Sequence, residues 1–199
     1  ILFPSQFFAD LIDHRRGVGF FTIIAGTCVF GSQLILIDGM FAAALALGII
    51  GTTLWFGINY TIFAAFTVKQ EKPPLEVGIN GGWLVAVVAT QSVSIIAELL
   101  LNRFHPFEEW VHLFSLSFWL WGGMLYIWLI SLIFYRYTFF KFLPSDLMPP
   151  YWINMGAMAI STLAGGVLIG NAGQSRLLVE LVPFLKGLTF MFWATATWW

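Results

Sequence analysis

Long apolar stretches separated by short polar breaks run the length of the chain. A helix needs about 20 mainly apolar residues to cross the hydrocarbon core of a bilayer, because its backbone polar groups must pair internally there. Six stretches meet that length, near 18–37, 40–67, 82–101, 110–134 (with a continuation to Phe140 left open), 151–169 and 181–199. The breaks carry turn and charge signals: Asp38 with Gly39, the polar run from Lys69 to Pro74, the segment holding Arg103 and His105, the Pro149–Pro150 pair, and Arg176. The pattern predicts an all-α polytopic membrane protein, one transmembrane domain over 1–199 with six helices.

The stretches are of two kinds. On a 3.6-residue period the first stacks Gly19, Thr22, Gly26, Val29 and Gln33 on one face. The third stacks Gly82, Ala86, Ala89, Val93 and Ala97, with Thr90 and Ser94 beside them, and the fifth stacks Asn154, Ala157, Ser161 and Gly165 beside Thr162 and Gly166. The fourth is loaded with rings, Trp110, Phe114, Phe118, Trp119, Trp121, Tyr126, Trp128 and Phe134, as suits a lipid-facing or interfacial element. An inner ring of odd helices inside an outer ring of even ones is expected. Small residues also let helices approach closely in lipid, and Gly78 with Gly82 and Gly166 with Gly170 have GxxxG spacing. The second stretch weakens the contrast with Gly48, Gly51, Thr52 and Gly57. The stripes therefore support two readings. One is a pathway lined by Thr22, Gly26, Gln33, Ala89, Thr90, Ser94, Asn154, Ala157, Ser161 and Gly165. The other is a set of packing seams in a non-transporting membrane scaffold or sensor subunit.

Composition removes several functions. Hydrophobic residues make up 59% of the chain and charged ones 10%, against roughly 25% charged in a soluble domain, so the lipid bilayer is the expected partner. A formal net charge of −1 gives no basic field for nucleic acid. The few charges set orientation: Arg15, Arg16, Lys69, Lys72, Arg136 and Lys141 fall on one side of an alternating bundle and Arg103 and Arg176 on the other. This places the N-terminal flank in the cytoplasm of a multi-pass inner or plasma membrane protein. The chain starts at Ile1 and stops at Trp199 inside an apolar run, which reads as a piece of a longer protein.

Reactive chemistry is sparse. His14, His105 and His112 lie in a flank, a loop and a helix start, so no two meet at mid-depth as haem ligands, and no metal site is expected. There is no HExxH and no Gly-x-Ser-x-Gly, and Cys28 is alone. No catalytic residue and no cofactor are expected, and no enzyme. Glu98 and Lys186 fall within apolar stretches, where charge is costly. Both lie near helix ends in this reading: Glu98 reaches the headgroups or pairs with Arg103, and Lys186, about one turn inside the sixth helix, snorkels or attracts anions at a vestibule. Gln33, Gln91 and Asn154 either bond neighbouring helices or line a wet path. A neutral path of amide and hydroxyl dipoles suits a channel or facilitator better than a pump, and no Walker A motif is present.

Four strings, taken together, resemble a known family. They are DLIDHRRGVGFFTIIAGTCVFGSQ (Asp10 to Gln33), GGWLVAVVATQSVSI (Gly81 to Ile95), PPYWINMGAMAISTLAGG (Pro149 to Gly166) and LKGLTFMFWATATWW (Leu185 to Trp199). They resemble the tellurite-resistance and dicarboxylate transporter family, which includes malic acid transport proteins and the plant slow-type anion channels. The resemblance implies ten helices in five hairpins around a central pore lined by odd helices, assembled as a homotrimer. It makes the present helices the third to eighth, makes small anions such as malate the cargo, and puts the family's phenylalanine gate beyond Trp199. Many members carry prolines inside the pore-lining helices. Here the third and fifth have none, with Thr90 and Gly156 in those regions, so the pore shape implied by the family does not carry over.

Overall fold

The computed structural model describes residues 4–199, which form helices joined by short turns, with no strand among the described residues. Helix α1 (Pro4–Leu11) precedes the first span. Three hairpins follow: α2 (Phe21–Leu36) with α3 (Phe41–Val68), α5 (Val85–Leu99) with α6 (Glu108–Phe139), and α7 (Ile153–Asn171) with α8 (Arg176–Trp198); the short α4 (Leu75–Gly78) links the first two. Counting the tight turns that open α2, α5 and α7, six helices are long and apolar enough to cross a membrane, as expected. The α2–α3 connection turns at Gly39, whose φ of 65° is the left-handed conformation that favours glycine.

Helix α5 is the centre of the bundle. In its most apolar stretch 72% of the residues are buried, against 17% to 44% in the other spans. It packs against α2, α3, α6 and α7, so its hairpin is the one the other two lean on. One apolar cluster, around Phe21, Ile24, Trp55 and Ile96, joins α2 and α3 to one side of α5. A second, around Trp119, Met158, Leu168 and Leu185, joins α6, α7 and α8 on the other. The odd helices are thus neighbours with α5 in the middle, and α3, α6 and α8 lie outside them.

Two boundaries have identifiable physical causes. Helix α6 continues to Phe139 because Arg136 in its last turns is buried, its guanidinium 5.2 Å from the ring centre of Phe142 and 5.8 Å from that of Tyr151. Helix α8 begins at Arg176 because the Ser175 hydroxyl accepts a hydrogen bond from the Leu178 N–H at 3.1 Å, a side-chain cap. Glu109 reinforces that start, accepting from Ser175 Oγ and from the Arg176 N–H, both at 2.7 Å. Lys186 consequently lies about 15 Å into α8 at about 1.5 Å per residue, near the middle of the helix and not one turn from its end.

The aromatic helix α6 has two faces. Trp110, Trp121, Trp128 and Phe134 are exposed, as a lipid-facing element requires, whereas Phe118, Trp119 and Tyr126 are buried in the bundle.

Candidate functional site

The starts of α2, α5 and α7 meet at one end of the bundle, the end that carries Arg15, Arg16 and Lys69. Each opens with a single tight turn, Gly17–Phe20, Gly81–Leu84 and Pro149–Trp152 respectively. Local chemistry fixes these starts. The Asp13 carboxylate accepts from the N–H groups of Arg15 (2.9 Å) and Arg16 (3.0 Å), closing the turn that leads into α2. The Asn80 side chain accepts from the Gly82 N–H at 2.8 Å and caps the start of α5. A β-carbon on Gly81 would collide with the backbone of Pro150, so glycine is what lets the α5 and α7 starts touch.

Between these starts lies an open cavity of about 840 Å³, lined by Arg15, Arg16, Gly19, Thr22, Val85 and Ile153 among others. Asp10 and Asp13 line it too, and Arg16 is held by Asp10 at 2.7 Å. The four formal charges cancel. Beyond the Arg16–Asp10 pair, the exposed Arg15 guanidinium and the Asp13 carboxylate are in no ion pair among the described residues and offset each other, so the excess positive field is that of three helix starts of about half a positive charge each. The cavity therefore favours anions.

Asp13 is tuned to stay charged in this setting. Partial burial pushes its carboxyl up, but the two backbone N–H bonds and the charges of Lys69 and Arg16 outweigh that and hold it below the ordinary range. His14, next to it, stacks on Phe66 with ring centres 4.1 Å apart. Burial there, together with the charges of Lys69 and Lys72, holds its imidazole below the usual histidine value, opposed only by Asp13.

The residues expected to line a path divide sharply. On α2, Thr22, Gly26 and Gln33 are exposed along one face, and a β-carbon on Gly26 would meet nothing. On α5 and α7, Ala89, Thr90, Ser94, Asn154, Ala157, Ser161 and Gly165 are all buried. Their polar atoms are used between helices. Thr90 Oγ1 accepts from the Trp55 indole at 2.7 Å, Ser94 and Ser115 exchange bonds at 2.9 Å, and Asn154 donates to the Tyr137 hydroxyl at 2.9 Å. Ser161 bonds its own helix at the Ala157 carbonyl, 2.7 Å away, while its carbonyl accepts from the Trp119 indole at 2.9 Å. Gly165 leaves room for Thr189 and Trp119. Small and hydroxyl-bearing residues on these two helices thus serve close approach and interhelix bonding.

The charged residues also depart from expectation. Glu98 neither reaches solvent nor pairs with Arg103; it is buried against His112 and Asn171, while Arg103 lies over the Phe41 ring at 4.2 Å. His112, expected near the interface, is fully buried. The only sequence signal for this pairing was a carboxylate near the end of an apolar helix with a histidine near the start of the next. Lys186 is exposed on α8 and does not line the cavity of the helix starts.

Comparison with known proteins gives the family. The whole chain, residues 1–199, matches the voltage-dependent anion channel family. The chain belongs to that family. Two curated relatives are transporters without an assigned substrate from Methanocaldococcus jannaschii, one 28% identical over 207 residues and the other 26% identical over 206. Each match covers 100% of this chain and 56% or 57% of the relative, so the chain spans little more than half the length of these proteins. A membrane protein of Mycobacterium tuberculosis is 36% identical over 74 residues, 37% of this chain and 37% of its own. No solved structure matches. The membership agrees with the resemblance carried by the four strings, and makes the chain part of a multi-pass helical membrane protein.

Proposed function

We propose that the protein is a channel or secondary transporter for small anions, whose path enters through the cavity at the starts of α2, α5 and α7. The observation that carries this is the convergence of three helix starts and the unpaired Arg15 on one cavity, in a family of anion channels. Loop charge makes this end the cytoplasmic one, in the plasma membrane, with the path rising along the exposed α2 face of Thr22, Gly26 and Gln33. The buried stripes of α5 and α7 hold the wall together, and dicarboxylates such as malate are included among the anions to be tested. A homotrimer is the assembly this reading adopts from the family. Lys186 stands apart from the entrance.

Anion flux in liposomes containing the full-length protein tests the reading. Efflux of chloride, nitrate or malate above that of empty vesicles is expected, and Arg15→Gln lowers it severalfold with folding unchanged. No flux above empty vesicles for any of the three overturns it.

A second reading, a membrane scaffold held by packing seams, is favoured by the burial of Asn154, Ala157, Ser161 and Gly165. Leucine at Asn154 or Ser161 disturbs packing on either reading. Leucine at Thr22 separates the two, because it lies on an exposed face: it blocks flux in a transporter and leaves a scaffold intact.

A further inference from the structure

At the end of the bundle opposite the helix-start cavity, a groove of about 460 Å³ opens outward between α3 and α6, with α5 as its floor. Leu45 and Ile49 form the α3 wall, Trp110 and Phe114 the α6 wall, and Ile96 and Ala97 the floor. No charged side chain lines it among the described residues, and the Thr53 hydroxyl on its α3 side is turned back to the Ile49 carbonyl at 2.8 Å. Along α3 the lining covers residues 45–53, about 12 Å at about 1.5 Å per residue, so the groove runs from the helix ends well into the span. Exposed Phe107 and Trp110 stand at its rim, as rings do at the headgroup level of a bilayer.

The groove leads to a cation. Leu45 also lines a second, more open cavity of about 560 Å³, which includes Met40, Phe41 and Arg103. Arg103 is exposed and in no ion pair among the described residues. Its guanidinium lies over the Phe41 ring at 4.2 Å, which fixes its place and leaves its N–H edge free. The start of α3 borders the same cavity without a side-chain cap, and its positive end adds to the Arg103 charge. The acidic side chains nearby have other partners: Glu108 is held by His105, Glu109 by Ser175 and the Arg176 N–H, and Glu98 is buried against His112 and Asn171. Asp38 is exposed, in no ion pair among the described residues, and lines neither cavity; Glu180 is on α8, which borders neither.

We propose that this groove and Arg103 form a binding site for an anionic phospholipid, with one acyl chain in the groove and the phosphate at Arg103. An uncharged groove open to the bilayer suits an acyl chain, the guanidinium fork suits phosphate, and basic pockets between transmembrane helices take anionic headgroups. A further apolar helix would also fill the groove, but it would leave Arg103 without the counter-charge that a lipid phosphate supplies. The site is separate from the anion entrance and does not rest on the transport reading.

Photolabelling of the full-length protein tests this. The protein is placed in vesicles of phosphatidylcholine and phosphatidylglycerol in equal amounts, one or the other carrying a photoreactive acyl chain, and the labelled peptides are mapped. Phosphatidylglycerol is expected to label residues 45–53 and 93–100 severalfold more than phosphatidylcholine. Arg103→Gln is expected to make the two lipids equal there while both still label. Equal labelling in the parent, the mark of bulk lipid, overturns the proposal, as does a preference that survives Arg103→Gln. Absence of label in the groove, because another segment of the chain or a second copy fills it, overturns it too. Salt covers the case in which the variant does not fold: the parent's preference falls as screening weakens the attraction of phosphate to exposed Arg103, and a preference indifferent to salt overturns the proposal.

Discussion

Trp55 and Trp119 each bury an indole whose N–H finds one acceptor on another helix, Thr90 Oγ1 in one case and the Ser161 carbonyl in the other. A buried N–H left without an acceptor costs about 1–3 kcal/mol. Thr90→Val, nearly equal in shape, is therefore expected to destabilise the protein by about that amount, read as a lower unfolding midpoint. Gln91 makes the same kind of bond, its side-chain amide donating to the Trp119 carbonyl at 3.1 Å. Gly122 provides its space, since a β-carbon there would overlap the Gln91 amide. Gly122→Ala is expected to cost about 1–3 kcal/mol through overpacking and the lost bond, measured the same way. His14 adds a pH dependence. Its imidazole titrates below the ordinary value of 6.5, because burial and two nearby lysines disfavour the charged form. The folded protein thus binds fewer protons than the unfolded chain as pH falls below that value, and stability drops on the acid side. His14→Phe keeps the stack on Phe66 and is expected to flatten that acid limb of the midpoint-against-pH curve; an unchanged limb contradicts the assignment.

At the scale of helices, the junction of the α5 and α7 starts is the feature on which the proposed entrance depends. Gly81 touches the backbone of Pro150, and backbone cannot move aside as a flexible side chain can. Gly81→Ala is expected to force the two starts apart, lowering both the unfolding midpoint and anion flux, whereas Gly19→Ala, with open space around it, leaves the midpoint unchanged or higher. The number and order of the spans were legible in the sequence, because twenty apolar residues between polar breaks allow little else. Their ends were less so. The Ser175 cap and its Glu109 support draw on residues 66 positions apart, and no local pattern reports them. The stripes were visible too, but a face of small and hydroxyl residues looks the same whether it meets water or a neighbouring helix. On α2 it is exposed and on α5 and α7 it is buried, a difference set by α5 being enclosed by four helices. Glu98 and His112 each stand out in the sequence; that they meet depends on how far α5 and α6 slide past each other, which composition does not encode.

Taken whole, the molecule is three hairpins with the odd helices adjacent and the even ones outside, part of a membrane protein of the voltage-dependent anion channel family. The exposed α2 face is the decisive surface, because it separates a path from a seam. Gly26 sits on that face in the middle of the helix with nothing within reach of a β-carbon. Leucine there is intrinsically better in a helix than glycine by about 0.5–1 kcal/mol, so Gly26→Leu is expected to keep or raise the unfolding midpoint. Its side chain would stand in the proposed path. The most direct test is chloride and malate efflux from liposomes holding full-length parent or Gly26→Leu protein, with the midpoint of each measured alongside. The account predicts flux above empty vesicles for the parent and its loss in a variant that is at least as stable. Undiminished flux in a folded Gly26→Leu protein, or no flux in the parent, would contradict it.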